Sequence, residues 1–355
     1  TAAALPIACG GCAMDDGRAR EFDEAPLGQP RVTAGMRVEE LVDAYAAAGG
    51  GAVYLAEAVE ILTEMFDDAS VTTVMGLAGA MVPTGMRTIV ADLIADGLVD
   101  ILVTTGATLT HDAIEAIGGA HHHGRPDPRA PHPTGAGHPD TGDRRAHDEQ
   151  LRTEGVDRIY NVYLPQEHFA AFERHLREEV FPHFDGPTDI AAMTARLGEA
   201  NAAVAPDPRT AGIAAAAAAH EVPVYCPAIQ DSVLGIQAWM YSQISEFTLD
   251  ALADMTALSD RAFAADRAGA FVVGGGVPKN YTLQTMLTIP GAYDLGVQLT
   301  MDPEHTGGLS GASLDEARSW GKLEPDARNV TVLGDATITL PLVVAGARGR
   351  MTHNG

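Results

Sequence analysis

Seven short, β-branched runs punctuate this chain, most of them leading through a glycine or aspartate turn into a helix-length segment. They are VTTVMGL (71–77), DILVTTGA (100–107), RIYNVYLP (158–165), EVPVYCPA (221–228), AFVVGGGVP (270–278), AYDLGVQLT (292–300) and NVTVLGDA (329–336). Strands that alternate with helices predict an α/β fold with a parallel, doubly wound sheet. Helical periodicity begins at Met36, where VEELVDAYAAAG and YLAEAVEILTEMF carry apolar residues at i, i+3, i+4 spacing. In such folds ligands sit beyond the carboxyl ends of the strands. Those ends read TTGA, CPAIQD, VGGGVPKN, LTMD and LGDA.

The rest of the chain sets bounds. Residues 1–30 are polar and contain Gly and Pro, and a mobile segment is expected there. Cys9 and Cys12 form C-G-G-C without a second such pair, which signals neither zinc nor a redox motif. Residues 119–150 are rich in Pro, Gly, Asp and His and hold six of the 13 histidines. A His tract can bind metal, but irregular spacing favours a solvated loop insertion, and no metal site is expected. No uncharged apolar run reaches membrane-spanning length, and the first residues lack a basic region. The chain is expected in the cytoplasm. A net charge of −25 repels phosphates and argues against nucleic-acid partners. It favours cationic ligands, or a salt-rich cytoplasm such as that of halophilic archaea.

The chain has 23 Lys and Arg residues, of which only Lys279 and Lys322 are lysines. Arginine stays protonated, whereas a desolvated lysine can lose its proton and attack a carbonyl or imine carbon. Lys322 ends LDEARSWGK (314–322), close to Glu316 and Trp320. An aromatic wall excludes water and lowers a lysine's pKa. The same ring attracts a cationic amine, and Glu316 can pair with one. The bland alternative is a surface helix capped by Gly321 with Trp320 packed for stability. At the strand ends, the glycines 274–276 and the TTG turn 104–106 allow close approach of a phosphate or ring, or form ordinary turns. Asp231 and Asp335 can bind ribose hydroxyls or cap helices.

DILVTTGA, NVYLPQEHF, ARLG, VPVYCPAIQDSVLG, VVGGGVPKN, SGASLDEARSWGKL and GDATITLPLV together resemble the deoxyhypusine synthase family. The resemblance covers about residues 30–350, so residues 31–350 are expected to form one catalytic domain. It implies a Rossmann-like, mostly parallel sheet with helices on both faces, in a homotetramer with NAD at subunit interfaces. It implies a transferase that oxidises spermidine with NAD and cleaves off an aminobutyl unit onto an active-site lysine as an imine. That unit passes to a lysine of translation factor 5A, the first step of hypusine formation. The imine-forming lysine would be Lys322, with Glu316 and Trp320 lining the amine pocket. NAD contacts would fall to Thr104, Thr105, Gly106, Asp231, Gly275, Gly276, Thr300, Asp335 and Ala336. Three positions depart from the family's pattern: Asn280 replaces a histidine, Ile236 a carboxylate, and His111 an acidic residue. Asn280, in the donor pocket, can hydrogen-bond but cannot act as a general base. His111 could titrate near neutrality or cap its helix. These departures leave agmatine open as donor, and a free diamine as acceptor in the manner of homospermidine synthase.

Overall fold

The computed structural model describes residues 26–124, 141–205, 207 and 210–351. Cys9, Cys12, most of segment 1–30 and the middle of the His-rich stretch lie outside the described residues. Numbered along the chain, the strands are β1 (Val71–Leu77), β2 (Ile101–Val103), β3 (His122–His123), β4 (Val156–Ile159), β5 (Val162–Pro165), β6 (Pro187–Asp189), β7 (Val224–Tyr225), β8 (Thr248–Asp250), β9 (Arg267–Val273), β10 (Tyr293–Thr300) and β11 (Leu323–Leu333). Six of them form one sheet in the order β11-β10-β9-β1-β2-β7, every pairing parallel.

Side chains alternate across a strand, and here both faces are apolar, as a sheet covered on both sides requires. Met75 and Leu77 of β1, with Phe271 and Val273 of β9, enter one buried cluster. Val74, Ala268 and Ala270 enter the other. Helices Val38–Ala46, Gly51–Asp67 and Ala336–Arg350 pack together over the first face, and Gly276–Thr285 with Ala253–Phe263 over the second.

From β1 the chain winds outward through β2 to β7, then returns to the other side of β1 and winds outward through β9, β10 and β11. The strand order therefore reverses between β1 and β9. A crevice must open beyond their carboxyl ends, because the connections leave in opposite directions.

One expected strand lies elsewhere. RIYNVYLP forms not a seventh parallel strand but the antiparallel hairpin β4–β5, joined by β3 in a separate three-stranded ribbon. A short apolar run does not specify its partner, and the two-residue gap at Tyr160–Asn161 permits a hairpin. The end of the His-rich stretch is helical, over Thr141–Thr153. The ribbon packs on this helix through Arg158, which donates to Asp148 at 2.6 and 2.7 Å, and through a 2.8 Å bond between His147 and Tyr163.

Candidate active site

A cleft of about 1020 Å³ opens at the switch point. Its lining comes from the β1 end (78–81 and 83–85), the β9 end (Gly274–Gly276), the β10 end (Leu299–Asp302), the β11 end (Gly334–Thr337) and the ribbon (His121–His123, Tyr160–Val162). Gly275, Gly276, Thr300, Asp335 and Ala336 of the sequence-derived cofactor set all line it. Two helices begin there, at Gly276 and Ala336, so unpaired amides and the positive ends of two helix dipoles face the space. Gly276 has φ +58° and open space where a Cβ would stand, whereas a Cβ on Gly275 would strike Ser310. Asp335 caps its helix, with Oδ1 accepting from the Thr337 amide at 2.8 Å and its hydroxyl at 2.9 Å. Oδ2 takes no partner among the described residues, which leaves it for a ligand hydroxyl. A dinucleotide fits these features: amides for phosphates, a bare backbone for close approach and a carboxylate for ribose.

The glycine loop is fixed by a buried polar knot. Lys279 is 1% exposed. Its Nζ donates to Gln298 Oε1 at 2.8 Å, to the Leu309 carbonyl at 3.2 Å and to the Ala312 carbonyl. Gln298 Nε2 donates in turn to the carbonyls of Gly274 at 3.0 Å and Ser310 at 2.8 Å. Burial pushes the Lys279 pKa down to about 8; Glu316 opposes the shift and the charge of Lys322 adds to it. The sequence reading missed Gln298. The available signal was a glutamine inside DLGVQLT, at a position where a doubly covered strand calls for an apolar residue.

Lys322 lies where the short helix Glu316–Ser319 turns into β11. Gly321 is left-handed at φ +68°, its amide reaches the Arg318 carbonyl at 3.0 Å and the Lys322 amide reaches the Ala317 carbonyl at 3.0 Å. This is a Schellman cap, which returns Lys322 toward the protein. Its Nζ sits 5.5 Å from the Trp320 ring centroid. Lys322 is 9% exposed and Trp320 is 62% exposed, so the tryptophan is an open wall rather than packing. Burial holds the Lys322 amine below the ordinary lysine range, and Glu316 partly restores it. The cap expected at Gly321 and a lysine held near the Trp320 ring are present together. Arg318 braces the turn: it donates to the carbonyls of Glu324 and Pro325 at 2.8 Å and Ala327 at 2.7 Å, and also to Asn329 and Asp315.

Glu316, Trp320 and Lys322 do not line the cleft, and the remaining sequence-derived residues also stand apart from it. Thr104 is buried and donates to the Leu77 carbonyl at 3.0 Å. Thr105 caps the helix Gly106–Ala116, and Gly106 packs against Ser232 with no room for a Cβ. Asp231 is exposed beside that contact, just before the helix Val233–Ser242. Asn280 lines a separate cavity of about 350 Å³ with Leu309 and Tyr281. Ile236 is exposed. His111 Nδ1 meets His121 Nε2 at 2.9 Å, and His121 Nδ1 meets Glu115 at 2.6 Å. Burial, reinforced by His121 and opposed by Glu115, pushes the His111 pKa down to about 4, so the ring is neutral at pH 7. Among the described residues no His, Cys, Asp and Glu grouping could hold a metal ion. No helix there is long and apolar enough to cross a membrane.

Fold and site define a class: Rossmann-like α/β enzymes with a ligand cleft at the topological switch point. The particular family follows from likeness to known proteins. A family model described as deoxyhypusine synthase matches residues 40–347. The chain is 45% identical over 339 residues to "Probable deoxyhypusine synthase 1" of Methanosarcina mazei, covering 96% of this chain and 99% of that one. It is 46% identical over 327 residues to the protein of the same name from Methanosarcina acetivorans, covering 92% and 96%. A crystal structure of an Entamoeba histolytica protein, provisionally assigned as a deoxyhypusine synthase, superposes with a TM-score of 0.58. It does so at 16% identity over 90% of this chain and 95% of that one, a likeness of fold. The chain belongs to the deoxyhypusine synthase family, and it is a transferase.

Proposed function

We propose that this chain transfers an aminobutyl group from spermidine to a lysine of translation factor 5A, with NAD as cofactor and Lys322 as the amine that carries the group. The observation that carries this reading is the desolvated Lys322 amine against the Trp320 ring, in a chain of this family with two lysines in all. NAD would be held by Gly275, Gly276, Thr300, Asp335 and Ala336, and when bound it supplies a hydride acceptor. Trp320 attracts the cationic donor through its ring face, and Glu316 pairs with an ammonium. Lys322, deprotonated, would attack the oxidised carbon, release the remaining three-carbon diamine and hold the four-carbon unit as an imine; the acceptor lysine would then displace Lys322, and return of the hydride taken from the donor would reduce the new imine to the amine.

Thr104, Thr105, Gly106 and Asp231 belong to the same cofactor site by family pattern but lie outside the cleft lining of one chain. A homotetramer in which a neighbouring copy brings these residues to the cofactor accommodates both facts. The exposed Ile236, Trp239, Met240 and Ile244 on and after the helix Val233–Ser242 give such a contact an apolar surface. A cytoplasmic enzyme of a salt-rich cell is supported by the charge of −25.

Agmatine is the second donor considered, because Asn280, Ile236 and a neutral His111 leave the donor side without the expected histidine and carboxylates. The test is incubation with NAD, labelled spermidine or labelled agmatine, and either translation factor 5A or putrescine. Label should appear on the factor. Label on putrescine would indicate a homospermidine-synthase-like activity, and no label on either acceptor, with NAD bound normally, sinks the transfer reading.

A further inference from the structure

The turn between β4 and β5 is held in a shape that its sequence disfavours. Ile159 pairs with Val162, so Tyr160 and Asn161 alone form the loop. Tyr160 has φ 54°, and Glu221 is the other described non-glycine residue with positive φ. A two-residue hairpin loop that is left-handed at its first position takes glycine there, because a Cβ crowds the following carbonyl. Such strain persists where the surroundings enforce it, and it gathers at ligand sites. The enforcement is visible here. Arg158 Nη1 donates to the Tyr160 carbonyl at 3.1 Å while the same guanidinium grips Asp148. From the other side the Gly124 amide donates to the Asn161 carbonyl at 2.8 Å.

Packing does not account for the side chain that this strain carries. Tyr160 is 74% exposed, so it buries little apolar surface. It stands in the wall of the switch-point cleft, in a lining shared with Gly274–Gly276 and Asp335. We propose that Tyr160 is a stacking platform for a flat base of the nucleotide cofactor, an inference that rests on the assignment of NAD to this cleft. A ring on a wet rim gains most by covering another planar ring. A backbone that fixes the ring before the ligand arrives spares part of the ordering cost of binding.

The test uses the whole chain and two variants, Tyr160→Phe and Tyr160→Gly. Each is titrated with NAD by calorimetry, and each is melted without ligand. Tyr160→Gly should unfold at the same or a higher temperature, since glycine accepts the left-handed turn. Its NAD affinity should fall about tenfold or more, the worth of one base–aromatic stack. Tyr160→Phe should bind within about twofold of the parent, because the ring face remains. Unchanged affinity in Tyr160→Gly overturns the proposal. So does a lower unfolding temperature, which would make the ring part of the ribbon's packing. A parent chain that takes no NAD would instead overturn the cofactor assignment, and this inference with it.

Discussion

Under the proposed reaction the two lysines have opposite tasks, and chemistry at the level of single atoms separates them. Lys322 would need a free electron pair. Its burial favours the neutral amine, so reductive trapping with a small aldehyde should rise with pH and reach half-maximum below the ordinary lysine value of 10.5. Glu316 pulls the other way, so Glu316→Gln should move that midpoint to lower pH; a shift to higher pH would contradict the arrangement. Lys322→Arg should lose the adduct and keep NAD binding. Lys279 already spends its hydrogens on Gln298 and two carbonyls. At 1% exposure the bulkier guanidinium would have to displace its neighbours, and Lys279→Arg should cost about 1–3 kcal/mol through overpacking. Urea unfolding would measure it, and an unchanged midpoint would show the knot to be soft.

At the scale of elements, three helices meet at one buried charge pair. Asp112, fully buried, accepts from Arg87 Nε at 2.7 Å and from the Ile213 and Ala214 amides at 2.8 and 2.9 Å. Arg87 also reaches the Thr210 carbonyl at 2.7 Å. Burial raises the Asp112 pKa even against Arg87, the largest opposing influence. Arg87→Met should therefore destabilise the chain by about 3–5 kcal/mol, because it strands a buried carboxylate. A loss below 1 kcal/mol in denaturant titration would mean that the helix amides suffice. The six parallel strands were legible as β-branched runs with turn residues behind them, and SWGK showed the turn that sets Lys322 beside Trp320. What the sequence hid is what long-range packing decides. RIYNVYLP carries the same local pattern as its neighbours, and only tertiary context sends it to the ribbon beside the cleft. The Lys279–Gln298 knot joins residues 19 positions apart in different elements, and no local motif announces it.

Over the whole molecule, charge dominates. At −25 the surface repels itself at low salt. Raising KCl from about 0.1 M to 1 M shortens the screening length from about 10 Å to about 3 Å. Exposed pairs such as Arg328 with Glu60 weaken on the way, but each contributes little. Relief of repulsion should win, and the unfolding temperature should climb with salt; a fall would place the balance with the ion pairs.

Both lysines are withdrawn from solvent, one into a knot and the other behind tryptophan. The exterior thus displays arginine as its basic residue and offers no lysine ammonium. An enzyme that grafts a carbon chain onto a lysine of another protein then has almost nothing on its own skin to graft it onto. Under the proposed reaction, composition alone would limit self-modification, before any recognition of the proper acceptor begins.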